Sequence, residues 1–316
     1  MSDTPLQNRA TTEAGPLRRL WDNDLAYSFR RSKVTMLAGL ITLIYVLAAI
    51  FAPWVAPHDP YDLAHTSVLD AFLPPAWLEG GDPRYLLGTD NVGRGVLSTI
   101  IYGSRISLGV GLAAVFISAT LGVTLGLVSG YIGGRTDAVI MRIAEVQLSF
   151  PDILIALLID GIIRSFLGPG VHEHIAFVVV ITAISLAYWV QYARTVRSTT
   201  MVEKGKEYVQ AARVAGKSPA YIMLRHLLPN VMGPVLVIAT ISLALAIITE
   251  ATLSFLGVGV PPTQPSLGTL IRVGNDFLFS GEWWITMFPG AALAIMGLSV
   301  NLLGDWLRDA LNPKLR

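Results

Sequence analysis

The 316-residue chain reads as an all-α integral membrane protein with six transmembrane helices. Composition is the first ground. It is 53% hydrophobic and only 14% charged, where a soluble domain carries about 25% charged residues, and its mean hydropathy is +0.58. The second ground is a set of five charge-free apolar stretches long enough to span a bilayer, which takes about 20 residues in helical form. The third is the placement of the basic residues. With six spans and an inside N-terminus, 18 of the 23 fall on inner segments, as the positive-inside rule requires.

In chain order, residues 1–34 form a mostly polar N-terminal tail with six basic residues, including Arg30, Arg31 and Lys33. The first span covers 35–55. Its length and the long tail before it argue for a retained anchor over a cleaved signal, whose apolar region is about 7–15 residues. Residues 56–105 make an outer loop rich in Pro, Gly and Asp, expected to hold turns and short helices. A five-helix core over 106–306 follows. Its clear spans are 106–134, 175–193, 227–249 and 283–304. Another, 138–163, carries Arg142, Glu145, Asp152 and Asp160 and is interrupted by Pro151, yet without it the basic C-terminal tail, 307–316, falls outside. The outer segment 256–282 carries Pro261, Pro262 and Pro265 and resembles the first outer loop.

The same composition excludes several functions. A net charge of +1 leaves no basic excess for nucleic acid. The absence of cysteine removes disulfides, thiolate zinc sites and thiol catalysis. Gly216-Lys217-Ser218 imitates the end of a phosphate-binding loop, but the required earlier glycine is Ala211 and Pro219 follows at once. His172-Glu173-His174 offers two imidazoles and no third metal ligand. Gly122, Gly126 and Gly130 recur every four residues, a spacing that lets helices approach closely in lipid. No catalytic constellation, cofactor or metal site emerges.

The most informative segment is the basic inner loop 194–230. A helix is expected over about 202–215, with Gly216 as its left-handed cap, then Ser218 as N-cap and Pro219 at the first position of a second helix. Tyr221, Leu224, Arg225 and Leu228 stand at i, i+3, i+4 and i+7 as one mainly apolar stripe, and Pro229 is expected to end that helix. Such a face buries either on the chain's own bundle or in a groove of another protein.

Gln210-Ala211-Ala212-x3-Gly216, followed by Leu228-Pro229, resembles the "EAA" loop of permease subunits in binding-protein-dependent ABC importers. The family's glutamate is Gln210 here, which removes a negative charge, and its usual aliphatic residue two before the final leucine is His226. Arg225-His226-Leu227-Leu228-Pro229-Asn230 is similar to the peptide-transporter branch. Leu87-Gly88-Thr89-Asp90, Tyr102-Gly103-Ser104-Arg105-Ile106-Ser107, Ser254-Phe255-Leu256-Gly257 and 301–309 point the same way, to the C-type permease subunit of dipeptide, oligopeptide and nickel importers.

The resemblance implies a type I ABC importer permease fold in the bacterial inner membrane, both termini cytoplasmic, with no cofactor in this chain. It also implies four partners: a homologous permease chain, two ATPase subunits that dock on the coupling loop, and an extracytoplasmic solute-binding protein. A nickel chelate or another small polar solute is the alternative cargo. An ion-coupled secondary carrier is the alternative class, and would favour inverted repeats and broken mid-membrane helices.

Charges at membrane depth are functional candidates, because each costs at least about 2.5–3.5 kcal/mol at the centre. Arg142 and Glu145, three apart, suit a local ion pair; Asp160 and Arg164 suit hydration at an outer end. Glu250 stands late in its span beside Thr249 and Thr252, and two roles are open to it: lining the solute path, or hydrogen-bonding between helices. Asn301 and Asp305 suit an inner gate or a helix end.

Overall fold

The computed structural model describes residues 24–62, 66–167, 172–261 and 263–311. Among them no strand forms beyond one isolated bridge, Thr89 with Gly95. Lipid leaves no water to satisfy backbone N–H and C=O groups, and a helix pairs all of them within its own segment.

The helices are α1 (Asp24–Arg31), α2 (Lys33–Ile50), α3 (Ala52–Val55), α4 (Val96–Ile132), α5 (Gly134–Leu148), α6 (Asp152–Leu167), α7 (His172–Glu203), α8 (Glu207–Val214), α9 (Pro219–Ile222), α10 (Leu228–Phe255), α11 (Leu267–Asn275) and α12 (Trp284–Leu311). Among the described residues five segments are long and apolar enough to cross a bilayer, and the bent pair α5–α6, counted as one span, brings the number to six.

Several helices overrun the expected spans. At 37 residues α4 is about 55 Å long. It begins at Val96, so the outer loop ends ten residues before Arg105. Likewise α7 continues to Glu203, α10 to Phe255 and α12 to Leu311. Hydropathy marks where lipid ends; helical hydrogen bonding continues past that boundary wherever packing supports it.

The interrupted span 138–163 resolves into two helices bent by 100° at Ser149–Pro151. Pro151 has no N–H and disfavours helix at Phe150. The bend turns α6 onto α7, so Ala156, Ile155 and Ile159 pack against Val180, Ala183 and Ile184. It also corrects the reading of Asp160, which is fully buried and not hydrated. The side chains of Arg164, His172, Glu173 and His174 lie outside the described residues.

At the centre, α4 and α7 pack along their length. A Cβ on Gly122 would lie 2.4 Å from the Trp189 carbonyl oxygen, on Gly126 2.6 Å from that of Ala193, and on Gly130 2.8 Å from that of Arg197. Each partner is also four residues from the next, so the glycine ladder meets a backbone ladder of equal pitch. Around this pair α10, α11 and α12 complete the core, where Ile247, Leu267 and Met296 are fully buried. α2 packs at the edge, leaving Leu37, Leu40, Leu43 and Ile44 more than half exposed, a face suited to lipid.

The outer loop folds onto the bundle without forming a separate domain. Asp90 accepts from the backbone N–H groups of Val92 and Arg94 and pairs with the Arg94 guanidinium at 2.7 Å. The Trp284 indole donates to the Thr89 carbonyl at 3.1 Å. Gly88 adopts φ +79 against that indole, where a Cβ would also meet the Leu73 carbonyl oxygen at 2.6 Å, so only glycine fits.

Candidate functional site

The inner loop begins where α7 stops. Lys204 Nζ donates to the Gly130 carbonyl at 2.7 Å, tying the end of α7 to the end of α4. Lys206 occupies the N-cap position of α8, and its side chain pairs with Glu203 at 2.6 Å. Tyr208 Oη donates to the other Glu203 oxygen at 2.6 Å. Partial burial, then this carboxylate, push the Tyr208 phenol up to about 12. The helix expected over 202–215 is therefore two: Gly205 and its neighbours break it, and α8 starts at Glu207.

Gln210 Nε2 donates to the Lys204 carbonyl at 2.9 Å. A glutamate there has no N–H to give, so the amide suits this turn in a way the family's carboxylate does not.

Gly216 takes φ +72 as expected, and the turn is a complete Schellman motif. Lys217 N donates to the Ala212 carbonyl at 3.1 Å and Gly216 N to that of Arg213 at 2.9 Å. Ser218 then accepts from Tyr221 N at 3.3 Å, with Pro219 opening α9.

Pro229 does not end the second helix. A π-turn, Met223–Leu227, carries α9 into α10, so Pro219–Phe255 runs as one 37-residue segment. Leu228 N reaches back five residues to the Met223 carbonyl. The wider turn accommodates the proline ring and its missing donor, and a helix that expects a break is re-routed around it.

The loop has two apolar faces. Val209, Ala212, Ile222 and Leu227 are buried against Leu127, Tyr192, Val196 and Val231. Val214, Tyr221 and Leu224 point away, 91%, 44% and 64% exposed. Ala211 and Arg225 are exposed as well, whereas His226 and Leu228 are half-buried, His226 edge-on to Tyr221. The stripe expected from Tyr221 and Leu224 is thus the outward one. The anchoring stripe, Ile222 and Leu227, is offset by one position and spaced by five, a π-turn spacing that a search at helical period passes over.

Farther along the same helix Glu250 is fully enclosed. Ser107 Oγ on α4 donates to Glu250 Oε2 at 2.8 Å, and Ser254 Oγ donates to Oε1 at 2.7 Å. Both hydroxyls also accept from outer-segment backbone: Leu267 N donates to Ser107 and Val260 N to Ser254. Glu250 is the hub joining α4, α10 and the outer segment. Asn301 Nδ2 lies 3.5 Å from Asp305 Oδ2 on α12, one turn apart. Arg142 and Glu145 pair at 3.5 Å, both largely exposed, so the contact adds little stability. A stronger pair absent from the sequence reading is Arg197 with Asp137, a two-pronged bridge from α7 to α5.

Residues 122–316 match the family described as binding-protein-dependent transport system inner membrane component, and residues 18–75 match the N-terminal TM domain of oligopeptide transport permease C. The chain belongs to this family of ABC importer permeases.

Among relatives, the di/tripeptide transport system permease protein DppC of Pseudomonas aeruginosa (strain UCBPP-PA14) is 40% identical over 316 residues, covering 100% of this chain and 98% of its own. The dipeptide transport system permease protein DppC of Haemophilus influenzae is 39% identical over 100% of both chains, and that of Escherichia coli K12 is 38% identical over 95% of this chain and 94% of its own. A chain of the MetNI methionine ABC transporter, solved in an inward-facing conformation, shares the fold: TM-score 0.52, 18% identity, 68% of this chain and 96% of that one. Membership makes this a multi-pass permease of a bacterial importer, working with ATPase and solute-binding partners; ATP hydrolysis belongs to the partners.

Proposed function

We propose that the chain is one of two permease subunits of a di- and oligopeptide importer. It pairs with a homologous permease, and two ATPase subunits bind the inner face of the pair. Both termini and residues 204–230 lie in the cytoplasm, and an extracytoplasmic binding protein delivers the solute to the opposite face. The chain itself holds no nucleotide, metal or cofactor.

The observation that carries this reading is the outward face of the inner loop. Val214, Tyr221 and Leu224 stand exposed on a scaffold fixed from behind by Val209, Ile222 and Leu227. A rigid apolar helix face on the basic, aqueous side is built to enter a groove. The peptide class is supported by the three relatives, each named as a peptide permease over nearly its whole length.

The mechanism follows from the continuity of Pro219–Phe255. ATP binding draws the two ATPase subunits together and displaces the docked loop. Because the π-turn joins α9 to α10 without a gap, the displacement passes up the span to Ser254 and Glu250. There hydrogen bonds grip Ser107 and the outer segment, and the outer side opens as the inner closes.

Tyr221→Asp and Leu224→Asp test the docking face. Each side chain is exposed in the free chain, so insertion and stability stay unchanged, while ATPase subunits cease to co-purify and peptide uptake falls at least about tenfold. Full uptake with full stimulated ATPase activity in both variants would reduce the loop to ordinary surface.

A further inference from the structure

One face of α4 is left unpacked through the membrane: Arg105, Gly109, Leu112, Phe116, Thr120 and Thr124 follow one another at three- or four-residue steps, and all are exposed. At its outer end lies a cavity of about 410 Å³ lined by Arg105, Tyr61, Tyr102, Phe177 and Gln264.

Three features of this cavity point to a ligand. Arg105 makes no ion pair or hydrogen bond with any described residue, although it sits where the apolar stretch of the span begins. A guanidinium at that depth is ordinarily spent on a partner or on function. The walls are aromatic: Tyr61 and Tyr102 stand edge to face at 5.4 Å, with Phe177 contributed by α7. One turn below Arg105, Gly109 leaves open space, since a Cβ there would meet nothing within 4 Å. The cavity thus offers one cation without a partner among the described residues, above an apolar, open floor, and the stripe continues from it toward the inner side.

We propose that Arg105 is a specificity residue of the outer vestibule, where its guanidinium receives the C-terminal carboxylate of the incoming peptide. The proposal rests on the peptide-import reading and extends it to a single group. A guanidinium fork matches a carboxylate in two-pronged geometry. The aromatic walls exclude water and accept the side chains that follow, and the groove along α4 gives the released solute its first direction of travel. The same guanidinium also suits the phosphate of an anionic lipid headgroup, and the test separates the two sources.

The native chain has no cysteine, which permits charge restoration at this position. Arg105→Cys is assembled with its partner subunits in vesicles of zwitterionic lipid alone, and uptake of a dipeptide with a free C-terminus is measured. The wild-type chain in the same assembly, treated identically, corrects for thiols on other subunits. Loss of the charge-assisted pair is expected to lower uptake at limiting dipeptide by about tenfold or more. Treatment from outside with a membrane-impermeant thiol reagent carrying an ammonium group restores most of that uptake. The sulfonate-bearing reagent lowers it further.

Unchanged uptake in Arg105→Cys, an equal response to both reagents, or failure of either to label the cysteine from outside overturns the proposal. So does a sign dependence that appears only when phosphatidylglycerol is added, for then Arg105 holds a headgroup. Absence of dipeptide uptake by the wild-type assembly is a different failure: it removes the peptide reading itself.

Discussion

At the scale of single residues, two positions separate conformational from packing constraint. Gly216 adopts φ +72, and a Cβ there would meet nothing within 4 Å. Any loss on substitution is therefore backbone strain, about 1–2 kcal/mol for an L-residue in the left-handed region. Gly216→Val is expected to leave the spans inserted while weakening recovery of ATPase subunits on purification. Gly216→Asn, which tolerates that region, should restore it. Equal behaviour of the two variants would show that the cap geometry is immaterial. Glu250 is the opposite case, fixed wholly by its partners. Glu250→Leu orphans the hydroxyls of Ser107 and Ser254, each worth about 1–3 kcal/mol when left unsatisfied. The purified chain should melt well below wild type in detergent. Glu250→Gln still offers Ser107 and Ser254 hydrogen-bonding atoms and is expected to melt close to wild type.

At the scale of elements, the contact of α4 with α7 decides the bundle. A β-carbon on Gly126 would come within 2.6 Å of the Ala193 carbonyl oxygen and 2.8 Å of Val196 Cβ. Backbone cannot yield as a flexible side chain does. Gly126→Val is expected to cost about 3 kcal/mol and to lower the amount of folded chain recovered from membranes. Gly161, on α6, has nothing within 4 Å of a Cβ. Gly161→Ala should be neutral or stabilising by about 0.5–1 kcal/mol, since alanine is the better helix former. Similar loss in both would mean that the four-residue ladder is not the packing determinant. The π-turn at Met223–Leu227 belongs to this scale too, for it converts an expected proline break into a continuous helical segment from the loop to Glu250.

For the whole molecule, topology and division of labour are the measurable properties. Single cysteines in the cysteine-free chain at Leu69, 94% exposed in the outer loop, and Val214, 91% exposed in the inner loop, should report opposite sides. An impermeant reagent added to intact cells is expected to label the first and to reach the second only after permeabilisation. Labelling of Val214→Cys in intact cells would invert the proposed topology. Purified without partners, the chain is expected to hydrolyse no ATP, as judged by phosphate release from a preparation shown free of ATPase subunits.

Much of this was legible in the residues because the bilayer is a one-dimensional constraint. Apolar length alone marks the candidate spans, five as continuous segments and a sixth as a bent pair. The capped turn at Gly216, Ser218 and Pro219 was equally legible, being written in adjacent residues with local backbone requirements. Other features depended on contacts between residues far apart in sequence. Which stripe of the inner loop is buried follows from Leu127 and Tyr192 on two other helices. That Glu250 is enclosed and hydrogen-bonded across helices follows from Ser107, 143 positions away. That Pro151 stands at a 100° bend while Pro229 lies within the continuous segment Pro219–Phe255 was not legible either, because the π-turn at Met223–Leu227 absorbs the second proline. Local chemistry and hydropathy are additive along the chain and are read from sequence. Burial and hydrogen-bond partnership belong to pairs of segments, and only the tertiary structure decided them.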